Sequence, residues 1–380
     1  MTETEEVSNT AESAGIVETQ YYRYNPLPGT FLMENGQSLP YIDVAYETFG
    51  VLTPLKDNAI LIAHAFSGDA HAAGYHENDK KPGWWDNMIG PGKAFDTNRF
   101  FIICSNVVGG CQGTTGPCSV NPEIGVPYGL SFPLVTIRDM VEVQHSLVRY
   151  LGIEKLHSVA GGSMGGMQVL QWMASYPDKV KSAILIATAA KHSSQQIAFN
   201  EVGRQAIMSD PNWNNGQYYQ GASPAVGLAL ARMVGHITYM SDQSMEKKFG
   251  RKQKSEKNPL KFAANFEVEG YLHYRGTSFV KRFDANAYLY ISKAMDLFDL
   301  AGDEPLHNVF RGASFKVLVI SFKSDWLYPS YQSLDIVRAC KLAGLATSYV
   351  EIDAKYGHDS FLVETEKESQ LISHFLNKVE

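Results

Sequence analysis

The sequence predicts an α/β fold, a mostly parallel sheet with helices on both faces, interrupted by an inserted block of helices. Three observations carry this. Apolar runs such as Ala59-Ile60-Leu61-Ile62-Ala63 and Phe100-Phe101-Ile102-Ile103-Cys104 lack the polar alternation of half-exposed strands, as strands buried on both faces do. They alternate with helical spacing up to about residue 188 and again from about residue 306. Between those limits, residues 193–208, 224–249 and 270–300 are mainly helical in spacing, with no clear buried strand. The expected division is a mobile N-terminal tail at 1–18, a core formed by 19–188 and 306–380, and a helical lid insertion at 189–305.

The chain opens with polar and acidic residues (Glu3, Glu5, Glu6, Glu12), without the positive start and apolar stretch of a secretory signal. Residues 31–33 and 41–49 read as strands separated by Glu34-Asn35-Gly36, a turn of the hairpin kind, so an antiparallel opening is expected. The apolar run from Ala59 ends in Phe66-Ser67-Gly68-Asp69, and loops at the ends of buried strands are where such sheets place ligands. The glycine-rich loop 106–117 lacks the Gly-Lys-Ser/Thr ending of a phosphate loop and reads as a wall beside the site. Thr136 caps a helix with a broad apolar face that runs to Leu151. Ser223 before Pro224 reads as another cap, and the basic run 247–254 as a solvated loop between helices. A strand at 315–320, a helix at 333–343, a strand at 348–352 and an amphipathic helix at 366–379 close the core.

The chemistry centres on Gly161-Gly162-Ser163-Met164-Gly165-Gly166, with a short strand before it and a helix after it. A serine on a strand-to-helix turn needs glycine two positions before and after, because a side chain there would collide with the neighbouring strand or the helix start. The turn exposes the hydroxyl and sets the Met164 N–H at a helix N-terminus, where developing negative charge is favoured. The Phe66 N–H is the candidate for the second oxyanion donor.

A serine hydroxyl needs a base, and the base needs a third group that holds its tautomer. For this kind of turn the chain order is serine, acid, histidine. Beyond the insertion and the next core strand, His358 lies in a loop after the last strand, whereas His374 falls within the last helix. Asp325 lies in the loop after the preceding strand. Asp335, inside a helix, and Asp353, at a strand end, are weaker choices.

Composition narrows the class. A net charge of −7 argues against broad nucleic-acid binding, and no apolar run approaches the length of a membrane span. Four cysteines in 380 residues are too few for a disulfide scaffold, so a reducing cytoplasm is expected. Cys104, Cys111 and Cys118 are spaced too widely for zinc pairs, and no H-E-x-x-H helix exists, so no metal is expected.

The segments 64–71 (His64-Ala65-Phe66-Ser67-Gly68-Asp69-Ala70-His71), 83–86, 106–110, 161–166, 232–239 and 357–359 together resemble homoserine O-acetyltransferases of the α/β-hydrolase fold, a likeness running from about Tyr21 to the C-terminus. The resemblance implies acetyl transfer from acetyl-CoA to the hydroxyl of L-homoserine, an early step of methionine biosynthesis. It also implies a cytoplasmic homodimer with a helical lid, with acetyl-CoA as co-substrate and no bound cofactor. By the same resemblance Ser163 is the nucleophile, Asp325 and His358 complete the triad, and Arg232 and Asp359 contact the amino acid. A guanidinium fork suits a carboxylate and an aspartate suits an ammonium. Phe66 stands where relatives often carry leucine. The residues themselves leave open a succinyl-CoA donor, serine as acceptor, plain ester hydrolysis, or a hydrolase fold kept as a receptor.

Overall fold

The apolar runs form the middle of one eight-stranded sheet. The computed structural model describes residues 13–25, 30–254 and 264–379. Its strands are β1 (Gln20–Tyr24), β2 (Ile42–Phe49), β3 (Ala59–Ala63), β4 (Phe101–Ser105), β5 (Ser158–Gly162), β6 (Ser182–Ile186), β7 (Lys316–Phe322) and β8 (Thr347–Ile352). They lie side by side in the order β1-β2-β4-β3-β5-β6-β7-β8. From β4 to β8 every pairing is parallel, while β2 runs antiparallel to both β1 and β4.

Side chains alternate faces along a strand, so a run that is apolar at every position feeds two cores. Leu61, Val159, Leu185 and Val319 face one of them, with α1 (Ile137–Tyr150) and α2 (Met164–Ser175) packed there. Ile60, Ala160, Ile184 and Ile320 face the other, which the C-terminal helix covers through Ile372 and Phe375. Thr136 caps α1 as the sequence predicts: its Oγ1 accepts from the Asp139 N–H (3.2 Å), and the Asp139 carboxylate accepts from the Thr136 N–H (2.8 Å).

The helical block leaves after β6 and returns before β7. It comprises α3 (Ser194–Met208), α4 (Ala225–Tyr239), α5 (Asp242–Lys248), α6 (Glu267–Val280) and α7 (Ala285–Leu297). Its ends meet at a narrow neck, where Lys191 forms an antiparallel bridge with Asp299 and the Leu300 N–H donates to the Ala190 carbonyl (3.0 Å). The core then finishes with α8 (Ser330–Leu342) and α9 (Thr365–Leu376).

Four local expectations differ from the structure. Phe31–Leu32 pairs with Ser38–Leu39 around the predicted turn, not with the long strand β2, whose own antiparallel partner is β1. Of the expected tail, residues 1–12 lie outside the described residues, whereas Val17 donates to the Tyr75 carbonyl and Tyr75 to that of Gly15 (both 2.9 Å), which docks this stretch on the core. The cap position of α4 falls on Pro224 rather than Ser223, because Pro224 has a helical φ (−74°) but a ψ of 61°, so the helix begins at Ala225 and no side chain caps it. Lys247 and Lys248 close α5 instead of lying in a loop, which places two cations at a helix C-terminus.

Glu368 on α9 is fully buried, and among the described residues neither of its carboxylate oxygens has a hydrogen-bond partner. Burial pushes its carboxyl well above the ordinary 4.5. The folded state therefore holds a proton that the unfolded chain releases above that ordinary value, so stability falls as pH rises through the interval between the two. Glu368→Met is expected to stabilise the protein by about 1–3 kcal/mol near pH 8. Its advantage should shrink toward pH 5. Thermal melts across that range check this, and a pH-independent difference would refute it.

Candidate active site

The glycines around Ser163 are fixed by contact distances. A Cβ on Gly161 would sit 2.8 Å from the Ala63 carbonyl oxygen, and one on Gly165 2.1 Å from the same atom. Strand β3 thus packs directly against the turn, which leaves Ser163 at φ 57°, ψ −123°. A non-glycine residue in this region is strained, and two hydrogen bonds hold it. The Ser163 N–H donates to the Ile186 carbonyl (2.9 Å), and Thr188 Oγ1 donates to the Ser163 carbonyl (2.8 Å).

Ser163 Oγ lies 2.8 Å from His358 Nε2, and His358 Nδ1 lies 2.7 Å from Asp325 Oδ2. The other carboxylate oxygen of Asp325 accepts the N–H groups of Leu327 (3.0 Å) and Tyr328 (2.8 Å). All three side chains are buried. Asp335, by contrast, pairs with Arg338 on the surface of α8, and Asp353 is exposed. His358 follows Gly357 (φ +74°), where a Cβ would come within 2.5 Å of the Ser241 nitrogen. The corner between α4 and α5 therefore presses onto the histidine loop. The acid loop is tied to the same corner, since Trp326 Nε1 donates to the Met240 carbonyl (3.0 Å).

The two amides singled out for an oxyanion stand ready. Among the described residues neither the Phe66 nor the Met164 N–H donates to a protein acceptor. The Phe66 loop is held by His64, whose Nε2 accepts the Val107 N–H (3.1 Å) while Nδ1 donates to the Ala65 carbonyl (2.8 Å). A buried chain joins this loop to the nucleophile helix: Trp172 donates to Gln144 (2.8 Å), Gln144 to Gln168 (2.7 Å) and Gln168 to the His64 carbonyl (3.0 Å). Every member is satisfied, so the network rigidifies the spacing between the two amides. The Phe66 ring packs on Tyr288 of α7 at 4.8 Å.

Arg232 reaches down from α4. It donates to Ser67 Oγ (3.1 Å) and stacks over the rings of Phe279 (4.6 Å) and Tyr239 (5.6 Å), and it forms no ion pair among the described residues. That excludes the inter-helix salt bridge that its position on a helix would suggest. Asp359 has no hydrogen-bond partner among the described residues. Burial pushes its carboxyl up, against the opposing pull of His358 and Arg232.

Residues 58–365 match the alpha/beta hydrolase fold family. The homoserine O-acetyltransferase of Leptospira biflexa is 53% identical over 365 residues, which cover 96% of this chain and 95% of that protein. The chain belongs to the homoserine O-acetyltransferase family. A second relative of that name, from Methanohalobium evestigatum, is 56% identical over 367 residues, covering 96% of this chain and 74% of the relative. Among solved structures, homoserine O-acetyltransferase from Bacillus anthracis superposes with a TM-score of 0.89 at 31% identity, covering 96% of this chain and 99% of that one. Esterase E22 gives 0.87 at 33%, covering 95% and 100%.

A cavity of about 40 Å³ beside Ser163 is lined by Phe66, Tyr239, Tyr288, Leu327, Tyr328 and His192 among others, with no lysine or arginine in its wall. Sequence reading of this member of the homoserine O-acetyltransferase family gave no site role to His192, Tyr239, Tyr288 or Tyr328. Tyr239 closes the 232–239 segment, but no motif marks the other three, because the fold assembles the wall from the neck, two insertion helices and the acid loop. One further cluster lies elsewhere: Glu47, His71 and His76 bring ligand atoms within 4.8 Å of one another, but the carboxylate of Glu47 already bonds both imidazoles (2.9 and 2.7 Å).

Proposed function

We propose that the protein transfers an acetyl group from acetyl-CoA to the hydroxyl of L-homoserine through an acyl-serine at Ser163, giving O-acetyl-L-homoserine for methionine biosynthesis. One observation carries the reading beyond a generic serine hydrolase. Arg232 and Asp359, opposite charges without ion-pair partners among the described residues, lie within electrostatic reach of one another, Arg232 bonded to Ser67 beside Phe66 and Asp359 next in the chain to His358. An amino-acid zwitterion needs such a pair, whereas a neutral ester does not. The small cavity without a cationic side chain favours acetyl over a succinyl group, whose carboxylate would need a partner.

The steps follow from the distances. His358 takes the proton of Ser163 as Oγ attacks the thioester carbon, and the Phe66 and Met164 amides hold the oxyanion. The imidazolium then returns its proton to the departing thiolate of coenzyme A. Homoserine's hydroxyl gives its proton to His358 and attacks the acyl-serine, and the same proton returns to Ser163. The helical insertion over the serine disfavours water as acceptor. Hydrolysis is the second reading, favoured by the likeness to esterase E22.

Thiol release from acetyl-CoA, measured with and without L-homoserine, separates the two. Dependence on homoserine is the expected result, and equal release without acceptor would establish a hydrolase. Substituting succinyl-CoA or serine tests donor and acceptor. Arg232→Met is expected to raise the KM for homoserine by about 10–100-fold, as loss of a charged hydrogen bond of about 1.5–3 kcal/mol implies. Asp359 should bind the ammonium only when ionised. Its raised pKa then predicts that KM for homoserine climbs on acidification from a pH above the ordinary carboxylate range. Asp359→Asn should flatten that profile, and an unchanged profile would remove Asp359 from the site.

Two further assignments belong to the same reading. No helix among the described residues is long and apolar enough to cross a membrane, and all four cysteines are free. The unpaired cysteines support a cytoplasmic location. A homodimer is supported by the outer face of α4, where Val226, Leu230 and Ile237 are exposed at helical spacing. Sedimentation of the full chain tests this.

A further inference from the structure

Tyr328 does three things at once. Its N–H donates to Asp325 (2.8 Å), its ring stacks on His358 at 4.8 Å and 19°, and its hydroxyl lies 2.8 Å from His192 Nε2. Behind His192 stands a buried chain from the insertion. Asp296 of α7 meets His192 Nδ1 (3.0 Å) and accepts from Asn200 (2.7 Å) and Arg204 (2.6 Å) of α3. Ser163, Tyr328, His192 and Asn200 line the same cavity.

Arg204 and Asn200 both donate to Asp296; the tautomer of His192 that donates Nδ1–H to this carboxylate leaves Nε2 to accept the phenol proton. Burial raises the Tyr328 phenol, opposed by a hydrogen-bonding interaction with Ser163, so it stays protonated at working pH. Tyr328 is thus a donor that sits on His192 and shares the cavity with Ser163, with no capacity to act as a base.

We propose that Tyr328, held by the buried chain His192–Asp296–Arg204, is a second polar partner of Ser163 and a further residue of the acyl-transfer machinery. The phenol O–H points to His192 in the resting site. It turns to Ser163 Oγ when that atom gains negative charge, during attack on the donor and again when the serine leaves the acyl intermediate. No proton changes owner in this step; only the hydrogen bond moves. His192 and Asp296 are positioning residues that act through Tyr328, and they connect the triad to α3 and α7.

This inference rests on the acyl-serine reading, and the test separates the two. Tyr328→Phe keeps the stacked ring and the amide to Asp325 and removes only the hydroxyl. At saturating substrates its kcat is expected to fall about 10–100-fold, with KM for homoserine within about threefold of wild type. His192→Phe should lower kcat less, and in the Tyr328→Phe background it should cost nothing further, because both act through one hydroxyl. A Tyr328→Phe kcat within twofold of wild type overturns the proposal, as does an equal His192→Phe effect in both backgrounds. If the histidine variant fails to fold, the tyrosine variant alone decides. Acylation by p-nitrophenyl acetate, followed in the same variants, reports on Ser163 without any acceptor. The relay can therefore fail while the transferase reading stands, and a wild-type enzyme indifferent to homoserine would sink that reading while leaving the relay scored.

Discussion

Ser163→Ala is expected to lower kcat for acetyl transfer by about 10⁴–10⁶-fold, leaving only what binding and the oxyanion amides contribute. The fold should survive. Alanine keeps the same Cβ, so the backbone at φ 57° is no more strained than before, and the bonds from Thr188 and to Ile186 do not involve the hydroxyl. A thermal midpoint close to that of wild type, measured beside the kinetics, would assign the whole loss to chemistry. Near-normal turnover under saturating acetyl-CoA and homoserine would show that Ser163 is not the nucleophile.

Asp325→Asn should cost about 10⁴-fold in kcat. The amides of Leu327 and Tyr328 already point at one oxygen of this side chain, so an asparagine would keep its carbonyl there and turn its NH₂ toward His358 Nδ1. That ring nitrogen would have to accept. Nε2 would then carry the proton against Ser163, and the imidazole could no longer act as base. Because the backbone contacts of the loop survive, KM should change far less than kcat. A variant that kept a tenth of wild-type kcat would mean that Asp325 only shapes its loop.

What was legible in the sequence and what was not follows a physical divide. The serine turn could be read because Gly161 and Gly165 both answer to contacts with Ala63 of one neighbouring strand, and such contacts leave a fixed local spacing. Asp325 and His358 could be picked because each follows a buried strand in the order that such a turn requires, and the structure sets His358 on the serine and Asp325 on the far nitrogen of that histidine. The edge of the sheet was harder. Glu34-Asn35-Gly36 does mark a turn, but which strand pairs across it depends on β1, whose tyrosines carry little periodic signal. The Tyr328–His192–Asp296 chain was beyond reach, since 136 and 104 residues separate its linked members and only the packing of the insertion on the core unites them.

The neck at Ala190–Lys191 and Asp299–Leu300 has a consequence for how such proteins diversify. Both ends of the helical block emerge side by side from neighbouring strands, so a block of different length or sequence can be spliced between them without changing the closure that the core must accommodate. Ser163, His358, Asp325, Asp359 and the Phe66 and Met164 amides all stay with the sheet, while Arg232 and the wall formed by Tyr239 and Tyr288 travel with the cassette. This chain superposes closely on both a homoserine O-acetyltransferase and an esterase, so the scaffold by itself does not set the reaction. Grafting the cassette of one onto the core of the other measures how much of an acceptor preference Arg232 and its neighbours carry without Asp359.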